Sequence, residues 1–375
     1  MTVRTVTLPD ATVQHSGPSF AENEVIERIK AFRKRRPRLI DEIITMSHGA
    51  GGKSSAALVD AVFVEGFRNE QLVQLGDGAV LTLPSGERLA FSTDSFVVQP
   101  LRFPGGSIGH LAVHGTVNDL AMAGARPSWL SAAFVLEEGF KISELQEIVA
   151  DMAAAALAAG VQIVTGDTKV VPTGAADGLF ITTAGVGVIP AGRRLAADRV
   201  QAGDKVVISG YIGDHGMAVM LARESLELEA DICSDTASVS DLVQTMLAAA
   251  PSTRWMRDPT RGGVGTVCNE LAQVTGLGIV LDERVLPVRP AVHGACEMLG
   301  IDPLYVANEG KFLAVLDPAE TDAALAAMRA HPLGGDAVVI GEITDKIGAT
   351  VALRTQFGGT RIVDMLVGDP LPRIC

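Results

Sequence analysis

Four aspartates follow apolar runs and sit beside glycine or small polar residues. They are Asp77 in Leu75-Gly76-Asp77-Gly78-Ala79, Asp94 in Phe91-Ser92-Thr93-Asp94-Ser95, Asp119 in Val117-Asn118-Asp119-Leu120, and Asp167 in Thr165-Gly166-Asp167-Thr168-Lys169. Hard cations such as Mg²⁺ take oxygen ligands, usually one or two carboxylates with phosphate oxygens. Gly-Asp pairs are also ordinary turn chemistry. Repetition is what points to a cation: all four are read at strand ends of one domain, where they can converge. Two further segments suit phosphate. Asp258-Pro259-Thr260-Arg261-Gly262-Gly263-Val264 leads into a helix, whose free N–H groups bind anions, with Arg261 adding charge-assisted bonds. A helix cap at Asp258 or Thr260 is the competing reading. Ser47-His48-Gly49-Ala50-Gly51-Gly52-Lys53-Ser54 approaches a P-loop but has Ser47 where that pattern needs glycine. It reads instead as a glycine loop able to close over a nucleotide.

Lys169 and Glu309 are candidates for proton transfer. Lys169 lies two residues after Asp167, so both face one side of an extended segment. A surface ion pair and a turn residue are the plainer alternatives. The fourth chemical feature is Cys375, the last residue of Asp369-Pro370-Leu371-Pro372-Arg373-Ile374-Cys375. The prolines keep this stretch out of a helix, and Arg373 favours the reactive thiolate. A thiol on such an arm can collect a group in one place and present it in another; a frayed end is the alternative. His110 and His114 share zinc-ligand spacing but lack a third ligand, and Cys268 and Cys296 lie in apolar helices, where burial is expected.

The elements that must position these groups alternate between helix and strand. Strands are expected at residues 43–46, 79–83, 88–98, 129–136, 161–164 and 179–188, with helices at 53–63, 108–123 and 142–159. A polar stretch near 190–202 precedes a new strand, 206–209. The second half repeats the mixture, with helices near 216–222, 239–249, 264–275 and 291–299 and strands near 279–282, 311–316 and 337–343. The expected division is a basic extension over 1–40, an ATP- and Mg²⁺-binding α+β domain over 41–195, a second α+β domain over 196–362, and a tail over 363–375.

Composition limits the partners. The chain of 375 residues is 47% hydrophobic and 20% charged, with a formal net charge of -13. A length of this order exceeds one typical core. The acidic balance argues against nucleic acid, whose phosphates are held by excess Lys and Arg. The basic cluster from Arg28 to Arg38 is the exception, read as a solvated helix and linker, or an over-extended start, rather than a docking arm. No apolar run is long enough to span a membrane and no secretory leader is evident, so a cytoplasmic protein is expected.

Taken together these residues resemble the HypE family of hydrogenase maturation proteins, the carbamoyl dehydratases. The matching strings are His48-Gly49-Ala50-Gly51-Gly52, residues 91–99, Phe103-Pro104-Gly105-Gly106, residues 114–125 and 165–171, Gly213-Asp214-His215-Gly216, residues 257–263, Asn308-Glu309-Gly310-Lys311, His331-Pro332-Leu333-Gly334, and the terminal Pro372-Arg373-Ile374-Cys375. The Asp-rich pocket is shared with aminoimidazole ribonucleotide synthetase, selenophosphate synthetase and thiamine-monophosphate kinase. The resemblance implies a two-domain PurM-like α+β fold and a homodimer whose N-terminal domains join sheets into a barrel. It implies nucleotide binding by Gly51, Gly52, Asn118, Thr168, Asp258, Arg261 and Gly262, and Mg²⁺ held by Asp77, Asp94, Asp119 and Asp167. A HypF-like carbamoyltransferase would load a carboxamide on Cys375. ATP would then drive its dehydration to a thiocyanate, with Lys169 and Glu309 as bases. The cyano group would pass to iron on a HypC–HypD-like scaffold. The alternatives are an ATP-dependent kinase or synthetase acting on a free small molecule, and a non-catalytic assembly factor.

Overall fold

The computed structural model describes residues 39–223, 231–366 and 368. The basic stretch before residue 39 and Cys375 lie outside the described residues. Alternating apolar residues build the first sheet. Its strands are β1 (Ala79–Thr82), β2 (Arg88–Phe96), β5 (Arg126–Glu137), β6 (Gln162–Val171) and β7 (Leu179–Ile189), in the order β1-β2-β7-β5-β6. In β7, Leu179, Ile181, Thr183 and Ile189 face inward, as a period of two requires. Only the β5–β6 pair is parallel. Between β2 and β5 lie the short strands β3 (Arg102–Phe103) and β4 (Gly106–Ser107).

This sheet is open. Its edges are β1 and β6, each paired on one side, and no sheet among the described residues closes into a barrel. The expected barrel is therefore corrected, while the two-domain, PurM-like α+β class stands. A further correction falls on residues 43–46, expected as a strand. Met46–Gly49 is instead a single 3₁₀ turn closed by His48 N–H on Thr45 O and capped by the His48 ring. It leads through Gly52 into helix α1 (Lys53–Leu58), which runs on through a wider turn over Val59–Val64.

Helix α2 (Ile108–Met122) is apolar almost all round and buried along most of its length, as a core helix must be. It packs against α3 (Ile142–Ala158), where a Cβ on Gly109 would lie 2.5 Å from Ile148 O. The core under the first sheet takes Phe96, Leu111, Ile148, Met152 and Ile181. It is continued by Met217 of α4 (Asp214–Leu221) and Cys296 of α7 (Pro290–Leu299). Each fully buried Leu, Ile or Phe stabilises by about 1.5–3 kcal/mol.

The second sheet runs β14-β13-β10-β12-β8-β11-β9. Its strands are β8 (Lys205–Ile208), β9 (Trp255–Arg257), β10 (Gly278–Asp282), β11 (Leu313–Leu316), β12 (Val338–Thr344), β13 (Val351–Arg354) and β14 (Thr360–Val363). Alternate residues separate its faces. Val206, Ile208, Leu313 and Val315 meet α6 (Gly263–Thr275). Val207, Ala314 and Leu316 meet α5 (Ser240–Ala249) and α8 (Thr321–Arg329). No helix among the described residues is long and apolar enough to cross a membrane.

Candidate active site

Three carboxylates from distant parts of the chain converge. Asp77 stands in a bend before β1, Asp119 in the last turn of α2, and Asp258 just after β9. One oxygen of each lies within 4.8 Å of the others. Burial pushes Asp77 up to about 6, opposed by Arg257. Burial, and then the neighbouring acids, push Asp119 and Asp258 well above the usual carboxylate range. Arg257 Nε lies 2.7 Å from Asp77 Oδ1, and its Nη2 3.4 Å from Glu270. Burial would lower the guanidinium, but the surrounding acids raise it. Ser92 Oγ donates to Asp119 Oδ2 at 2.6 Å.

Asp94, on β2, is near enough to raise both Asp119 and Asp258. Its own carboxyl is raised by burial and lowered by Arg261. An oxygen-only donor set of this spacing, with its acids destabilised as anions, fits a hard divalent cation. Arg257 and Arg261 together do not balance the four carboxylates Asp77, Asp94, Asp119 and Asp258.

The structure does not bring Asp167 to this cluster within one chain. Asp94, Thr183, Ala132 and Gly166 lie in register across β2, β7, β5 and β6. Three inter-strand steps separate Asp94 from Gly166, roughly 14 Å. Asp167 is in the middle of β6 rather than at a strand end, because that strand runs to Val171 beside β5. Asp167, Thr168 and Lys169 are exposed, with Lys169 Nζ 2.6 Å from Asp167 Oδ2. That contact and the Thr168 N–H hold the Asp167 carboxyl below its usual range. Asp119 also differs from its expected place, being on a helix.

The glycine loop lies on the segment after β9. Arg261 Nη1 donates to Gly49 O at 2.6 Å, and a Cβ on Gly51 (φ 77°) would be 3.0 Å from Arg261 O. Gly52 caps α1 and Gly262 (φ 75°) caps α6. Gly51, Gly52, Arg261 and Gly262 are thus brought together. The Lys53 N–H donates to Leu366 O at 2.8 Å, and Gly368 comes beside Ser47.

Glu309 precedes β11 and is buried. Burial, and then Asp258, Asp94 and Asp235, push its carboxyl well above the usual range. Residues 231–239 pass over it: Asp235 Oδ1 accepts from Glu309 N at 3.2 Å, and Ser234 N donates to Pro104 O at 2.8 Å. Asn118, expected to bind nucleotide, is wholly buried. Its amide nitrogen donates to Ala237 O and Glu309 O, and its oxygen accepts from Val239 N. Asn118 therefore fastens residues 237–239 to Glu309. Sequence reasoning missed Arg257, Glu270 and Ser92, and took Asp258 as part of a nucleotide-binding turn or as a helix cap rather than as a member of the carboxylate cluster. An Arg-Asp pair opening a glycine turn was the available signal for Asp258; Asp77, which meets Arg257 Nε, lies too far along the chain for that pairing to be inferred.

The AIR synthase related protein family matches the chain twice, its N-terminal domain over residues 75–189 and its C-terminal domain over 201–353. Carbamoyl dehydratase HypE of Cupriavidus necator is 54% identical over 332 residues, covering 88% of this chain and 95% of that protein. The Escherichia coli K12 protein of the same name is 47% identical, covering 88% and 99%. A crystal structure of a HypE–HypF complex matches with a TM-score of 0.78 at 46% identity, covering 83% of this chain and 100% of that one. HypE in complex with ATP matches at 0.74 and 44% identity, covering 89% and 100%. Thiamine monophosphate kinase of Aquifex aeolicus, 18% identical with a TM-score of 0.60, covering 83% and 98%, shares the fold alone. With this identity running through both halves and the carboxylate cluster they enclose, the chain belongs to the carbamoyl dehydratase HypE family.

Proposed function

We propose that this chain is an ATP-dependent dehydratase that converts an S-carboxamide on Cys375 to a thiocyanate, the source of the cyanide ligands of a [NiFe] hydrogenase. A HypF-like carbamoyltransferase loads the thiol. The amide oxygen then attacks the γ-phosphorus of ATP and ADP leaves. One N–H proton is lost as the phosphorylated imidate forms. The second is lost as the C–O bond breaks and phosphate departs, leaving S–C≡N.

The observation that carries this reading is the convergence of Asp77, Asp119 and Asp258. These residues would hold Mg²⁺, which neutralises charge on the transferring phosphoryl group. Arg261 and the Gly51, Gly52 and Gly262 turns bind phosphate. Buried Glu309 takes one amide proton. Lys169, with Asp167 and Thr168, is proposed as the second basic group. It stands on an exposed edge strand, which supports a homodimer in which a second chain meets the cleft. The protein works in the cytoplasm and passes the cyano group to a HypC–HypD-like iron scaffold. Residues 41–195 and 196–362 are its two domains, flanked by the 1–40 extension and the 363–375 tail.

Intact mass after incubation with the carbamoyltransferase, carbamoyl phosphate and ATP tests the reading. A carbamoyl adduct at Cys375 followed by ATP-dependent loss of one water is expected, and neither with Cys375→Ala. An active transferase that leaves Cys375 unmodified would move a small-molecule kinase to the front.

A further inference from the structure

Glu309 is a buried carboxyl facing the negative charges of Asp258, Asp94 and Asp235, with Arg261 opposing them. To serve as a base it needs a donor that holds one oxygen ionised and leaves the other free. His215, the second residue of α4, stands beside it. Its side chain is wholly buried, and its Nε2 lies 3.9 Å from Glu309 Oε1. That separation is beyond hydrogen-bond reach, and closing it by about 1 Å would make the bond.

Among the described residues, Phe103 and Ser234 also meet the ring. Phe103 meets it edge-on, with centroids 5.5 Å apart and planes at 82°. Ser234 Oγ lies 2.8 Å from Nδ1. That same oxygen accepts the Thr236 N–H at 3.1 Å, so its own proton is available for Nδ1. With Nδ1 accepting, the ring proton sits on Nε2, the atom 3.9 Å from Glu309 Oε1. Ser234 belongs to the segment that crosses Glu309, so one loop sets both the ring's tautomer and the carboxyl's place.

We propose that His215 is a positioning residue for Glu309: its Nε2–H holds Oε1, leaving Oε2 to take an amide proton, and Ser234 fixes the tautomer that allows it. The proposal rests on the reading of Glu309 as a base. It is tested by single-turnover dehydration of the carbamoylated protein, followed by intact mass beside ATP affinity. His215→Ala is expected to slow water loss roughly 10²-fold. His215→Gln, which keeps the volume and one donor, should fall between. ATP affinity and carbamoyl loading should stay within twofold of wild type.

The deciding measurement is the same substitution in a Glu309→Gln background. A residue that acts through Glu309 costs nothing further there. The full loss repeated in that background, a loss that tracks ATP affinity, or a wild-type rate in His215→Ala would each overturn the proposal. Should His215→Ala fail to fold, Ser234→Ala carries the same cycle, with a loss of about tenfold expected. Glu309→Gln at wild-type rate would instead overturn the reading beneath it.

Discussion

Asp119 shows how a single residue ties stability to chemistry. Burial and three neighbouring acids work against its charge. Asp119→Asn keeps the shape and the contact with Ser92 while removing a proposed cation ligand. Thermal stability without Mg²⁺ should hold or rise. The stabilisation by Mg²⁺, about 2.7 kcal/mol at a hundredfold excess over Kd in the parent, should vanish, and dehydration should fall roughly 10²–10³-fold. A variant that retains the full Mg²⁺ shift in a thermal melt would remove Asp119 from the site. Residue types were legible from the sequence because carboxylates, glycines and Glu309 stand in short strings. Which of them meet was not: Asp77 pairs with Arg257, a residue of the other half of the molecule. No local pattern encodes that.

At the scale of elements, most helices and strands follow from periodicity. The informative differences lie in β6 and in residues 231–239. Local hydrophobicity places a short strand at 161–164, whereas parallel pairing with β5 extends β6 to Val171 and leaves Asp167 exposed. That extension is a tertiary effect, unreadable from one strand alone. Residues 231–239 have no regular structure, yet they touch His114, Asn118, His215 and Glu309. Gly310 permits that approach, since a Cβ there would lie 1.9 Å from Asp235 O. Gly310→Ala should therefore displace the segment, cost about 1–3 kcal/mol by overpacking, and slow dehydration through Glu309. Urea denaturation beside single-turnover rates checks this; unchanged stability would mean the segment does not bear on Gly310 in solution.

Across the whole molecule, the acid cluster sets a pH dependence. Asp77 has a folded pKa of about 6 against an ordinary 3.8. In that window the folded chain binds more protons than the unfolded one, so this group's contribution to stability falls as pH rises through it. Asp119, Asp258 and Glu309 shift the same way. A divalent cation competes with those protons. The rise in Tm on adding Mg²⁺ should accordingly be larger at pH 8 than at pH 5; equal rises in paired melts would place the cation elsewhere.

The anchoring of Leu366 to the start of α1, with Gly368 beside Ser47, bears on kinetics. Seven residues, Asp369 to Cys375, follow that point, and fully extended they reach roughly 23–25 Å. In the proposed reaction, a thiol on so short a tether would meet the glycine loop at an effective concentration set by chain length, on the order of millimolar. Its encounter with the cleft is then first order. Diluting the assembled enzyme would not slow that step, and ATP is the one substrate it has to collect from solution.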